Sequence, residues 1–144
     1  MYKHILIATD GSELAGKAVT TGLSLGKQLN AKITAVTATE PFTALMAGEP
    51  ALAFPVEDYD KANAESAKRI LDAVSEEAKK AGVACETVHA VNFPAEAIID
   101  TAKGKGCDLI VMSSHGRRGL ARVLLGSQAT RVVTLSTIPV LICR

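Results

Sequence analysis

A polar, glycine-containing segment in the last third of the chain has the residues best suited to bind a phosphate group. Residues 109–127 read LIVMSSHGRRGLARVLLGS, so an apolar run leads into the turn SSHG, and nine residues separate Gly116 from Gly126-Ser127. Such an apolar run is typical of a strand buried on both faces of a parallel sheet. A helix start offers free N–H groups and a positive dipole end to phosphate. Gly126 would let a ligand approach the backbone, and Ser127 adds a hydroxyl donor.

The elements that must position this segment follow a repeated strand–helix pattern. We predict strands at residues 4–9, 32–38, 84–91, 107–112 and 138–143, with a helical connection between each consecutive pair. Connections of that length favour right-handed βαβ units, and hence a doubly wound, mostly parallel α/β sheet with no second domain. The third run, 84–91, alternates polar and apolar residues, which indicates a sheet edge. Pro139 indicates that the last strand is at an edge, or that one side of it lacks a ladder bond.

The helices are predicted from apolar periodicity and from their end signals. The first starts with Asp10 or Ser12 as N-cap and ends at Leu29, and Gly22 and Gly26 would let it lie close on the sheet. Its apolar stripe is predicted to comprise Ala15, Ala18, Val19, Gly22, Leu25 and Leu29. The others span residues 58–81, ended by Gly82, then 94–103, with Pro94 at the first helical position, and a last helix headed by Gly126-Ser127.

Composition excludes several classes of function. The chain has 144 residues, of which 48% are apolar, as expected of one domain with a hydrophobic core. Its net charge of +1 favours binding neither to nucleic acid nor to a membrane surface. No signal peptide and no run near the ~18 apolar residues of a membrane span is visible. The three cysteines are widely spaced, as expected of free thiols in a cytoplasmic protein. The proline-rich loop at residues 39–57 either packs over a site or a dimer partner, or is a mobile segment with no role in binding.

The sequence resembles the universal stress protein family, the UspA-like domain, over its whole length, residues 1–144. The resemblance is carried by HILIATDGSE at the start, PAEAI after the third strand, DLIVMSSHGRRGL, and LLGS…PVLICR at the end. It implies a single-domain, five-stranded parallel sheet of order 3-2-1-4-5 with helices on both faces. It also implies a homodimer formed through the last strand, from Ile138 to Cys143.

The nucleotide-binding branch of that family carries the motif G-x2-G-x9-G-[ST]. The corresponding residues are Ser113, Gly116, Gly126 and Ser127, so only Ser113 departs from it. Serine is costly there if the backbone needs a positive φ or if its Cβ meets the ribose; in an ordinary conformation it is harmless and can donate a hydrogen bond. The resemblance implies ATP, ADP or AMP as ligand, with or without Mg²⁺. It further implies that Asp10 lies near the ribose and that backbone groups of Val36 meet the adenine edge. The remaining implied contacts are Ala8, Thr9, Met112, Gln128 and Ala129.

Two functions from different classes stay open on the sequence. One is a stress-response regulatory protein that binds an adenine nucleotide, and the other is a dimeric interaction protein that binds none. We expect slow ATP hydrolysis at most, because the chain lacks a Walker A sequence and a placed general base. His115 is expected to be structural, and His4 and His89 indicate no metal cluster. The arginines of the loop either neutralise phosphate or belong to a solvated loop or a dimer contact: Arg117, Arg118 and Arg122.

Overall fold

The computed structural model describes residues 1–42, 55–116 and 124–144 of the chain. In these residues the strands and helices follow one another as β1 (His4–Ala8), α1 (Glu13–Leu29), β2 (Lys32–Thr39), α2 (Val56–Ala81), β3 (Cys85–Val91), α3 (Pro94–Lys105), β4 (Leu109–Ser113), α4 (Ser127–Leu135) and β5 (Val140–Cys143). The bounds differ from the predicted ones by at most two residues. The sheet is parallel throughout, with strand order β3-β2-β1-β4-β5, which confirms the predicted fold class.

Two apolar layers, one on each face of the sheet, hold the domain together. Successive side chains of a strand point to opposite faces, so Ile5 and Ile7 of β1 join the layer beneath α1 and α2. Leu6 and Ala8 join the layer beneath α3 and α4. The central strands β1 and β4 are therefore buried on both faces, which is why their sequences read as continuous apolar runs.

Helix α1 lies close to the sheet because two glycines face it. A β-carbon built at Gly22 would lie 2.5 Å from Ile7 Cδ1, and one at Gly26 would lie 2.7 Å from Ile33 Cδ1. The predicted apolar stripe needs correction at its end, since Leu23 is buried whereas Leu29 is exposed. The prediction left out Leu23 and extended the stripe to Leu29, whereas the buried face of α1 comprises Leu23 together with Gly22 and Gly26.

The order of the strands leaves β3 and β5 at the two edges of the sheet, as their sequences predicted. A row of hydrogen-bonded side chains crosses the amino end of the sheet from β1 to β3. His4 Nε2 lies 2.7 Å from Thr34 Oγ1, which donates to Glu86 Oε1 at 3.0 Å. Lys105 donates to the other oxygen of Glu86 at 3.1 Å. The hydrogen bonds from Lys105 and Thr34 lower the pKa of Glu86, and burial together with the nearby charge of Lys32 lowers that of His4.

No helix in residues 1–42, 55–116 and 124–144 combines the length and the apolar character needed to cross a membrane.

Candidate functional site

The turn after β1 is fixed by short-range hydrogen bonds. Asp10 Oδ1 accepts from the N–H of Ser12 at 2.9 Å, and Thr9 Oγ1 accepts from the N–H of Gly11 at 3.1 Å. Ser12 is the N-cap of α1, its hydroxyl oxygen accepting from the N–H of Ala15 at 3.2 Å, so of the two predicted caps it is Ser12 that serves. Asp10 is thereby held in the turn at the carboxyl end of β1, at the sheet edge where open α/β sheets bind ligands.

The turn after β4 starts from an ordinary strand conformation. Ser113 is the last residue of β4, and its φ is not positive. Among the described residues, Asn30 is the one non-glycine residue with a positive φ. Its side chain is buried, and its hydroxyl donates to the carbonyl oxygen of His115 at 2.8 Å. The backbone at this position therefore carries no strain that a glycine would relieve. The serine also fastens the turn.

Two glycines bring separate parts of the chain into contact at this edge. A β-carbon built at Gly116 would lie 2.8 Å from Oδ2 of Asp10, closer than real β-carbon contacts. A β-carbon built at Gly126 would lie 3.1 Å from the carbonyl oxygen of Ser114 and 3.3 Å from Cδ2 of His115. The N–H of Gly126 donates to that same carbonyl oxygen at 2.8 Å. A β-carbon at Gly116 would displace the carboxylate of Asp10, and one at Gly126 would be tight against the turn after β4, so the packing of the turns favours glycine at both positions.

His115 has a hydrogen-bonding atom that the described residues leave unsatisfied. Its Nδ1 lies 3.0 Å from the hydroxyl oxygen of Ser114, whereas its Nε2 is buried and has no partner in the described part of the chain. Burying a polar atom without a partner costs about 1–3 kcal/mol, so such atoms are rare and often indicate a missing ligand or water. The spacing pattern had indicated only a structural role for His115.

The first turn of α4 presents backbone donors. Gly126 is its N-cap and supplies no side-chain hydrogen bond, and the N–H groups of Ser127, Gln128 and Ala129 have no carbonyl partner within the helix. The side chain of Gln128 is occupied elsewhere, because its Oε1 accepts from the N–H of Ala95 at 3.2 Å. The Oε1 atom of Gln128 is therefore already engaged, whereas Ser127 offers both its N–H and its hydroxyl.

The other residues implied by the resemblance lie at the same edge, with their side chains turned into the core. The side chains that belong to the apolar layer under α3 and α4 are those of Ala8, Val36, Met112 and Ala129. The carbonyl oxygen of Val36 accepts from the N–H of Thr9 at 3.0 Å, which fastens the β1 turn to β2. At most the backbone of these residues can face a ligand, and Val36, which is 1% exposed, presents almost none of it at the surface. Arg117, Arg118 and Arg122 lie outside the described residues.

The groups at the candidate site are hydrogen-bond donors and acceptors. Within the described ranges no three His, Cys, Asp or Glu side chains are grouped as metal ligands. The three cysteines are free, as expected, and burial raises the pKa of Cys107 to about 11, so its thiol stays protonated at neutral pH.

Together, an open parallel sheet, two turns in close contact at a glycine, and a helix start whose first N–H groups have no partner within the helix define an α/β protein with a candidate ligand site at the carboxyl ends of its central strands. The sequence model of the universal stress protein family matches residues 1–144, and the chain belongs to that family.

Similar proteins span almost the same length. Universal stress protein YxiE of Bacillus subtilis is 35% identical over 154 aligned residues that cover all of both chains. Among solved structures, the hypothetical protein MJ0577 superposes with a TM-score of 0.85 at 27% identity, covering 99% of this chain and 96% of that one. A universal stress protein in complex with cAMP superposes with a TM-score of 0.71 at 26% identity, covering 99% and 97%.

Proposed function

We propose that this chain is a stress-response regulatory protein that binds ATP or another adenine nucleotide at the carboxyl ends of β1, β2 and β4. The observation that carries the proposal is the buried Nε2 of His115, which has no hydrogen-bond partner in residues 1–42, 55–116 and 124–144 and lies beside the start of α4. Both features supply donors, and a phosphate group needs donors on several sides. The complex of a related family member with cAMP supports an adenine nucleotide as the class of ligand.

Each part of the nucleotide has matching groups along the edge. The phosphates accept hydrogen bonds from the N–H groups of Ser127, Gln128 and Ala129 and from the hydroxyl of Ser127. When the hydroxyl of Ser114 donates to Nδ1 of His115, the ring hydrogen sits on Nε2, which then donates to a phosphate oxygen.

The nucleoside lies toward the centre of the sheet. In this proposal Asp10 accepts from ribose hydroxyls, and the backbone of Val36 meets the adenine edge. Mg²⁺, if it accompanies ATP, is held mainly by the phosphates, since Asp10 is the acidic residue of the proposed set. The protein acts by binding, in the cytoplasm, with hydrolysis at most slow, and residues 1–144 form one domain.

Calorimetric titration with ATP tests the proposal, using the wild type, Gly126→Val and Gly104→Val. Valine at 126 would meet Ser114 and His115 and push the turn out of place, so we expect ATP binding to be lost while the far-ultraviolet circular dichroism is retained. Gly104 in α3 is the matched control, because a β-carbon there meets nothing within 4 Å. Wild-type protein that binds no adenine nucleotide would contradict the proposal, as would a Gly126→Val variant with unchanged affinity.

We further propose that two copies pair through β5. This strand is at the sheet edge, and its Leu141 is 37% exposed beside a shallow cleft of about 340 Å³ along α1. An apolar strand with unpaired backbone groups needs a cover, and a second copy supplies one by two-fold symmetry. Light scattering should give twice the mass of one chain, and Leu141→Glu should give monomers. A wild-type mass of one chain at micromolar concentration would refute the pairing.

A further inference from the structure

The end of β5 contacts both segments that frame the candidate site, one through Cys143 and the other through the cationic residue that follows it. The carbonyl oxygen of Cys143 accepts from the N–H of Ser114 at 2.8 Å, so the residue after Cys143 emerges beside the turn that follows β4. That residue is Arg144, and its Nη2 lies 3.4 Å from the carbonyl oxygen of Leu124, two positions before the N-cap of α4. The guanidinium group thus lies, at the protein surface, beside the residues that lead into the start of α4.

The charge of Arg144 is not neutralised by a carboxylate of the described residues, because none of their ion pairs includes it. Arg131, on α4, differs in this respect, since its Nε donates to Oε1 of Glu96 at 2.9 Å. A guanidinium has five N–H donors, and the contact with Leu124 uses one of them. Arg144 therefore retains donors and a full positive charge for an anionic group.

The order of the strands indicates which anionic group Arg144 can reach. Across the sheet the proposed site runs from β2, which faces the adenine, through β1 and Asp10 at the ribose, to β4 and the start of α4 at the phosphates. β5 is the next strand, and it lies about 10 Å from β1 at the usual spacing of neighbouring strands. In that arrangement a single phosphate attached to the ribose would end at the start of α4, and a chain of three phosphates would extend further toward β5.

We propose that Arg144 binds the distal phosphates of a nucleoside triphosphate and thereby makes the site favour ATP over AMP. The inference rests on the nucleotide-binding function proposed above and adds to it the determinant that distinguishes the two ligands. Arg144 acts as a binding residue, through charge-assisted hydrogen bonds to phosphate oxygens.

Calorimetric titrations with ATP and with AMP, in the presence of a metal chelator so that Mg²⁺ does not screen the phosphates, test the assignment. For Arg144→Gln we expect the Kd for ATP to rise about tenfold and the Kd for AMP to stay within about twofold of wild type. Arg131→Gln is the matched control, because it removes a guanidinium from α4 whose charge is already paired, and it should change neither Kd.

The outcomes separate this inference from the function on which it rests. Equal weakening of ATP and AMP would mean that Arg144 acts only through Leu124 on the shape of the loop, and unchanged ATP binding would mean that it does not reach the ligand; either result overturns the inference and leaves nucleotide binding in place. A wild type that binds neither nucleotide overturns both. Raising the salt concentration should reduce the difference between wild type and Arg144→Gln, since exposed charges are screened.

Discussion

The replacement of Ser113 by the glycine of the family motif should destabilise the protein without improving nucleotide affinity. The hydroxyl of Ser113 donates to the carbonyl oxygen of His115 at 2.8 Å, and the loss of such a bond costs about 1 kcal/mol. Glycine inside a strand costs a further ~0.5–1 kcal/mol in backbone entropy. No strain is relieved in return, because φ at Ser113 is already negative.

The expected loss for Ser113→Gly is therefore about 1.5–2 kcal/mol in the free energy of unfolding, or roughly 3–8 °C in Tm for a chain of this size. Urea denaturation at fixed protein concentration measures it, and calorimetric titration with ATP measures the affinity. Ser113→Ala is the matched control: it removes the hydroxyl and keeps the β-carbon, so it should lose only the hydrogen-bond part, about 1 kcal/mol. A Ser113→Gly variant as stable as wild type, or one whose ATP affinity rises more than about tenfold, would refute this reasoning.

Two further predictions concern the frame of the domain. Gly22→Ala should lower the free energy of unfolding, measured by urea denaturation, by about 1–3 kcal/mol, because the new β-carbon would lie 2.5 Å from Ile7 Cδ1. Gly16→Ala on the same helix is the control: its β-carbon meets nothing within 4 Å, so it should stabilise the protein by about 0.4–1 kcal/mol. Equal effects of the two substitutions would contradict the close packing of α1. The free energy of unfolding should also fall as the pH is lowered from about 7 to about 4. Folding lowers the pKa of His4 from 6.5, so as the pH falls below 6.5 the unfolded chain binds a proton at His4 before the folded chain does, and the folded state loses stability. Folding also lowers the pKa of Glu86 from 4.5, so the stability that the ionised Glu86 contributes is lost as the pH falls below 4.5. His4→Gln should remove the upper part of this loss, and an unchanged pH profile in that variant would contradict the assignment.

The fold was largely predictable from the sequence because each element carries its own local signal. Apolar runs bounded by polar residues gave the central strands, and Pro94 and Gly82 marked helix ends where the structure has them. The apolar stripe of α1 was less well predicted. Leu23 is buried because Gly22 and Gly26 set how the helix faces the sheet, and that contact depends on Ile7 and Ile33, which are distant in the chain.

The placement of the candidate site residues at one end of the sheet could be predicted from the sequence, whereas the contacts among them could not. Intervals in the sequence identified the turn at Ser113 and the helix start at Ser127, and both lie at the predicted edge. The approach of Gly116 to Asp10 joins residues 106 positions apart, which no local pattern encodes. For the same reason the hydrogen bond of Ser113 and the buried Nε2 of His115 required the folded structure.

The binding of ATP at the carboxyl ends of β1, β2 and β4 is tested most directly by nuclear magnetic resonance. The backbone amide signals of ¹⁵N-labelled protein are followed while ATP is added. We expect the signals of Asp10, Gly116, Gly126 and Ser127 to shift in a saturable way, while those of the amino end of the sheet around Glu86 stay in place. Absence of any shift at about 1 mM ATP, where even a binding free energy near −4 kcal/mol would register, or shifts confined to other parts of the chain, would contradict it.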